Sequence, residues 1–154
     1  MSLSSQDIIT ITNYINVYRQ KHKSKLISHN QTISNFSQSY SNELLKTNTF
    51  KHSNNKLYGE NLYKSFSSVS KPLTNTELLN QVKKAIDSWY NEVKLYNFEI
   101  AELDMKTLHF TQLVWNNSTE YGVGISSNND TVVVCMNYNP RGNMLSQFKQ
   151  NVFN

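Results

Sequence analysis

At 154 residues, with aromatics at 12% and charged residues at 17%, the chain is long enough to bury a core unaided, and its shortfall of charge is filled by Asn and Ser rather than by disorder-forming runs, so one globular domain over 1–154 is expected. Lys and Arg exceed Asp and Glu by 15 to 11, an excess that suits an anionic membrane surface but is too small to indicate nucleic acid, and no nucleic-acid partner is expected. The single cysteine, Cys135, excludes an intramolecular disulfide and fits a reducing compartment.

The N-terminus, MSLSSQDIITITNYI, has no basic segment followed by an apolar run and a small-residue cleavage site, and no window approaches a membrane span. A cytoplasmic or membrane-peripheral location is favoured; a leader removed from ahead of MSL would make the chain secreted instead. Its second residue is not the glycine that myristoylation requires.

Ile8, Ile11, Ile15 and Tyr18 recur at helical spacing and predict a first helix, with Ser4 or Ser5 as its cap. The basic run RQKHKSK, Arg19 to Lys25, reads as its solvated end. Ile33, Phe36, Tyr40 and Leu44 predict the buried face of a second helix that runs toward Leu45 before TNTF breaks it. From Phe66 to Glu77 a Ser- and Thr-rich stretch with Pro72 predicts a surface loop. Val82, Ile86, Trp89, Val93 and Tyr96 form the clearest stripe in the chain and predict one continuous helix, with Trp89 and Trp115 in the core. After Trp115 the period changes to two: Tyr121, Val123 and Ile125, then Val132, Val134, Met136 and Tyr138, predict an antiparallel hairpin. Helices clustered before strands indicate an α+β domain with an antiparallel sheet.

Four strings carry the candidate chemistry: KHSNNKLYGENLY from Lys51, AIDSWYNEV from Ala85, HFTQLVW from His109 and NYNPRGN from Asn137. Together, in this order, they resemble the CAP superfamily of cysteine-rich secretory proteins, antigen 5 and plant pathogenesis-related proteins (the SCP domain), most of all its disulfide-free, Golgi-associated branch. The resemblance spans about Ile8 to Val152 and implies a three-layer α-β-α sandwich with a central antiparallel sheet. It also implies a cleft built from His52, Glu60, Glu92 and His109. His22 and His29 match no position of the pattern and read as surface residues.

Two neutral imidazoles, His52 and His109, suit a divalent metal, zinc or copper, with the carboxylates orienting the rings. Two ligands leave coordination open to water, so binding should be weak. Taken alone, Glu60 also reads as a structural acceptor of buried amides, and Glu92 as a helix-surface ion-pair partner. Two departures stand out. Leu108 replaces the glycine that many members carry before the histidine, and Met136 occupies the position of a disulfide cysteine, with Cys135 one residue away and hence on the opposite face.

Three functions compete. A lipid- or membrane-interacting module, taking anionic lipid or sterol, follows from the resemblance and the basic excess, with Arg19, Lys21, Lys23 and Lys25 as the contact cluster. A hydrolase would need a nucleophile such as Ser65, Ser67 or Ser68 brought to a cleft imidazole, and no GxSxG elbow is present. A protein-interaction module would use the cleft or a homodimer surface. The non-enzymatic readings are favoured.

Overall fold

A computed structural model describes residues 2–67 and 70–154. Helix α1 (Ser5–Lys21) begins at Ser4, whose hydroxyl accepts from the Asp7 amide while the Asp7 carboxylate accepts from the Ser4 amide, a reciprocal cap. Then come β1 (Ser28–His29), α2 (Gln31–Thr47), β2 (Gly59–Phe66), α3 (Asn75–Tyr90), a 3-10 turn (Asn91–Leu95), α4 (Leu108–Leu113), β3 (Glu120–Ser127) and β4 (Thr131–Asn139).

The strands form one sheet in the order β1-β3-β4-β2. β3 and β4 pair antiparallel with Tyr121 opposite Tyr138 and Ile125 opposite Val134, as the alternation predicts. β2, which no periodicity announces, pairs antiparallel on the other side of β4. Two-residue β1 adds a short parallel edge to β3, so the sheet is antiparallel except at that corner.

Alternation along β4 sends Val132, Val134, Met136 and Tyr138 toward the main core with Ile15, Val82, Ile86 and Trp89. Val133 and Cys135 go the other way, against Leu44 and Leu62. The result is the α+β, three-layer sandwich: α2 on one face, α1, α3 and α4 on the other. Trp89 and Trp115 are both buried, and Cys135 and Met136 face opposite layers as expected.

The second helix buries a different face from the one its apolar spacing predicts. Ile33 and Leu44 are buried, but Phe36 and Tyr40 are only half-buried, and the remaining buried positions are Ser34, Ser37 and Ser41. The reason lies in β3. Beyond β1 its outer edge is bare, and α2 side chains satisfy it: the Val123 amide donates to Ser34 Oγ at 2.9 Å, and the Ile125 amide to Gln38 Oε1 at 3.0 Å. An uncovered strand edge would invite pairing with another chain, so small polar residues sit where a helix must lie against backbone. Gly122 and Gly124 permit the approach, since a Cβ at Gly122 would lie 2.1 Å from the Ser34 nitrogen and one at Gly124 2.4 Å from the Gln38 Cα.

The predicted stripe from Val82 to Tyr96 is not one helix. α3 ends at Tyr90 and the chain tightens into the 3-10 turn, so Val93 and Tyr96 reach the core from beyond the α-helix. Tightened final turns are a common way to end a helix. Of the Ser-rich loop, Phe66 belongs to β2, Thr74 caps α3, and residues 68–69 lie outside the described residues.

The basic run is not a uniformly solvated end. Arg19 is fully buried, donating to the carbonyls of Lys25, Leu113 and Ser118 at 2.8, 2.9 and 2.7 Å, and burial pushes its guanidinium down to about 10. It therefore leaves the expected membrane cluster, whose lysines, Lys21, Lys23 and Lys25, are exposed. His22 is buried too, its Nδ1 at 2.8 Å from the Phe153 carbonyl and its Nε2 at 2.9 Å from the Tyr90 hydroxyl. A carbonyl only accepts, so Nδ1 carries the proton. His29 is half-buried, bonded to Ser34 Oγ at 2.7 Å. Neither is the surface residue expected.

Candidate functional site

His52 lies in the coil before β2, and Glu60 is the second residue of that strand. The intervening coil brings them together: His52 Nδ1 is 2.9 Å from Glu60 Oε1, which also accepts from the Ser53 amide at 2.9 Å. The other oxygen accepts from Ser53 Oγ at 2.6 Å and from Asn137 Nδ2 at 3.1 Å. Burial alone would raise this carboxyl, but donation from His52, Ser53 and Asn137 outweighs it and holds Glu60 at about 2. The bond from Glu60 in turn raises His52, against its partial burial. The structural role that Glu60 suggests on its own is real, and it coexists with the contact to His52.

His109 is the second residue of α4 and Glu92 sits in the 3-10 turn, at its second position. Glu92 Oε2 meets His109 Nδ1 at 2.7 Å, and Oε1 accepts the amides of His109 and Phe110 at 3.0 and 3.1 Å. Because the helix has given way to a tighter turn at this point, Glu92 faces α4 and is only partly exposed. Trp89 stacks over the His109 ring, with centroids 6.3 Å apart and planes 13° from parallel. Its indole nitrogen donates to the Leu62 carbonyl at 3.0 Å.

The two pairs are built alike. In each, a carboxylate engages Nδ1, so Nδ1 carries the proton and Nε2 the lone pair. His52, Glu60 and His109 line one cleft of about 410 Å³, together with Tyr58, Met105, Arg141 and others. Glu92 stands behind His109, outside that lining.

The four strings also lock one another in place. Asn61 of GENL donates to the His109 carbonyl and the Tyr138 hydroxyl, both at 3.1 Å. Gln112 of HFTQ accepts the Gly142 amide at 2.9 Å, and Asn143 of NYNPRGN donates to the Leu108 carbonyl at 2.9 Å. Leu108 therefore keeps its place without a glycine; its φ is not positive. Residue spacing does not reveal Ser53 and Asn137 as partners of Glu60. Their only signals are a hydroxyl next to a histidine and an amide on the α2 face of β4.

The serines named for hydrolysis are elsewhere. Ser65 is bonded to Gln81 at 3.0 Å, and along an extended strand it lies roughly 16 Å from Glu60. Ser67 lies past the end of β2, and Ser68 is outside the described residues. Among the described residues lining the cleft there is no Ser, Thr or Cys.

The cysteine-rich secretory protein family, CAP, matches residues 12–138 of the chain. The Golgi-associated plant pathogenesis-related protein 1 of Homo sapiens is 33% identical over 144 residues, covering 89% of this chain and 86% of that protein. The structure of BmVAL-1 is similar with a TM-score of 0.82 and 24% identity, over 99% of this chain and 84% of the other. The crystal structure of NaASP2 with Zn2+ is similar at 0.71 and 19% identity, over 93% and 84%. Since the matched region runs from α1 into β4 and takes in both carboxylate-held histidines, the chain belongs to the CAP family.

Proposed function

We propose that the chain is a membrane-interacting CAP module whose cleft takes a divalent metal, zinc foremost, on His52 and His109. The observation that carries this reading is the shared construction of the two imidazoles, each held at Nδ1 by a carboxylate and lining the same cleft. A carboxylate bonded to the far nitrogen of an imidazole fixes its tautomer and raises the basicity of the nitrogen that ligates. The donor set fits zinc in type but supplies only two protein ligands, and no group of three or more His, Cys, Asp or Glu suited to a metal occurs among the described residues. Water or a ligand would complete the shell, so the affinity is low and the metal exchangeable. That NaASP2, a protein of similar fold, was crystallised with Zn2+ supports the choice of metal.

The membrane part of the proposal rests on Lys21, Lys23 and Lys25, exposed at the end of α1, on a chain of net charge +4. No helix among the described residues is long and apolar enough to cross a membrane, so attachment would be peripheral and reversible. Zinc calorimetry on the parent, His52→Ala and His109→Ala tests the cleft; equal affinity in all three would end the metal reading. Pelleting with anionic vesicles at low and high salt tests the attachment.

A further inference from the structure

Glu60 receives four hydrogen bonds, and their origins differ. Three come from the segment that bears the histidine: His52 Nδ1, the Ser53 amide and the Ser53 hydroxyl. That segment is irregular, and the His52 side chain is 59% exposed. These three bonds tie the segment to the carboxylate but do not set where the carboxylate points. The fourth comes from Asn137 on β4, which is fully buried and lies opposite Glu60 in the β2–β4 register.

Asn137 is itself held from both ends. Its Oδ1 accepts from Ser37 Oγ of α2 at 2.8 Å and from Cys135 Sγ at 3.2 Å. Its Nδ2 donates to the Gly59 carbonyl at 3.2 Å as well as to Glu60 Oε2. Two donors on the oxygen leave the amide one orientation, with the nitrogen toward Glu60. A buried amide in a filled network is rigid.

We infer that Asn137 is the positioning residue that aligns the His52 segment with the sheet, and thereby sets the placement of His52 relative to His109. His109 needs no such device, because Glu92 grips both its ring and the first amides of α4. The sheet thus orients one histidine through a buried amide and a carboxylate, and the 3-10 turn orients the other. The inference rests on the metal reading only where it speaks of ligation; the alignment of His52 stands apart from it.

The test uses the full chain, with Asn137→Leu, which keeps the branched shape and removes both polar ends, and Ser37→Ala, which removes one donor to Oδ1. Amide exchange of the metal-free proteins is followed by NMR and zinc affinity by calorimetry. Asn137→Leu should speed exchange of the Ser53 amide about tenfold or more while β3 and β4 amides keep their protection, and should weaken zinc binding about tenfold, the lower end of the loss on removing a partner bonded directly to a ligating imidazole. Ser37→Ala should shift both in the same direction by less. Unchanged Ser53 exchange, or a loss of protection spread evenly through the sheet, overturns the positioning role. If the parent takes up no zinc, the metal reading fails and Ser53 exchange still decides the alignment. If Asn137→Leu does not fold, Ser37→Ala decides it by the same exchange measurement.

Discussion

Glu92 holds His109 by ring and backbone at once: one carboxylate oxygen meets Nδ1 at 2.7 Å, and the other accepts the amides of His109 and Phe110. Glu92→Ala therefore strands two part-buried amides as well as freeing the ring. We expect a loss of about 1–3 kcal/mol in stability, the range for an unsatisfied buried group. Zinc affinity should fall about 10–100-fold. Urea unfolding and calorimetry read the two effects separately, and a variant as stable as the parent would refute the backbone part.

Two glycines on the cleft side and the α2 side should respond differently to alanine. At Gly122 the new methyl meets the Ile33–Ser34 backbone at 2.1–2.2 Å, and backbone cannot swing aside. At Gly59 it meets the far end of the Gln112 side chain, Oε1 at 1.9 Å, which can turn at the expense of its bonds to Gly142 and Ser118. Gly122→Ala should cost at least the 1–3 kcal/mol typical of overpacking, roughly, and more than Gly59→Ala. Equal midpoints in urea would contradict the close approach of α2.

Stability should fall in two successive windows on acidification. Burial lowers His22, despite its bond to Phe153, so the folded state favours the neutral ring; that stability is complete above the unfolded value of about 6.5 and is lost as pH drops below it. Glu60, held at about 2, contributes above the unfolded carboxylate value of about 4.3 and loses that contribution as pH falls toward 2. His52 has the opposite sign: raised by Glu60, it stabilises below its unfolded value and fades as pH rises through the folded one. Melting temperatures against pH should show Glu60→Gln flattening the lower window and His22→Gln the upper; a parent whose stability is constant between pH of about 6.5 and about 3 would oppose both assignments.

Membrane attachment should depend on Lys21, Lys23 and Lys25 but not on Arg19. Replacing the three lysines with Gln should abolish pelleting with anionic vesicles at low salt, each lysine near the surface contributing about 1 kcal/mol. Arg19→Met should instead lower stability, by about 1–3 kcal/mol for each of the carbonyls of Lys25, Leu113 and Ser118 that keeps no donor. Pelleting that survives the triple change, or rises with salt, would rule out the electrostatic contact.

Legibility in the sequence followed the physics of each element. The hairpin was readable because Val132, Val134, Met136 and Tyr138 alternate toward one core. β2 was not, because its burial runs irregularly from Gly59 to Phe66. On α2 the apolar spacing points to Phe36 and Tyr40, while β3, some ninety residues later, requires Ser34 and Gln38 for its exposed backbone edge, and Ser37 turns inward to the Asn137 side chain of β4. The cleft pairs of His52 with Glu60 and His109 with Glu92 are legible through the resemblance and not through periodicity. Asn137 lay in plain view within NYNPRGN, yet only the register of β2 on β4 brings it to Glu60. Arg19 looked solvated because nothing local predicts three carbonyl acceptors, two of them in segments nearly a hundred residues away.

Cys135 is sealed between α2 and the sheet, and burial pushes its thiol well above the ordinary value. A thiol that is neither ionised nor accessible does not react. As the chain's only cysteine, it turns alkylation into a clock for that layer: a thiol reagent labels the protein only as fast as α2 lifts from the strands, so Gly122→Ala, Ser37→Ala and Asn137→Leu can be timed without adding a probe.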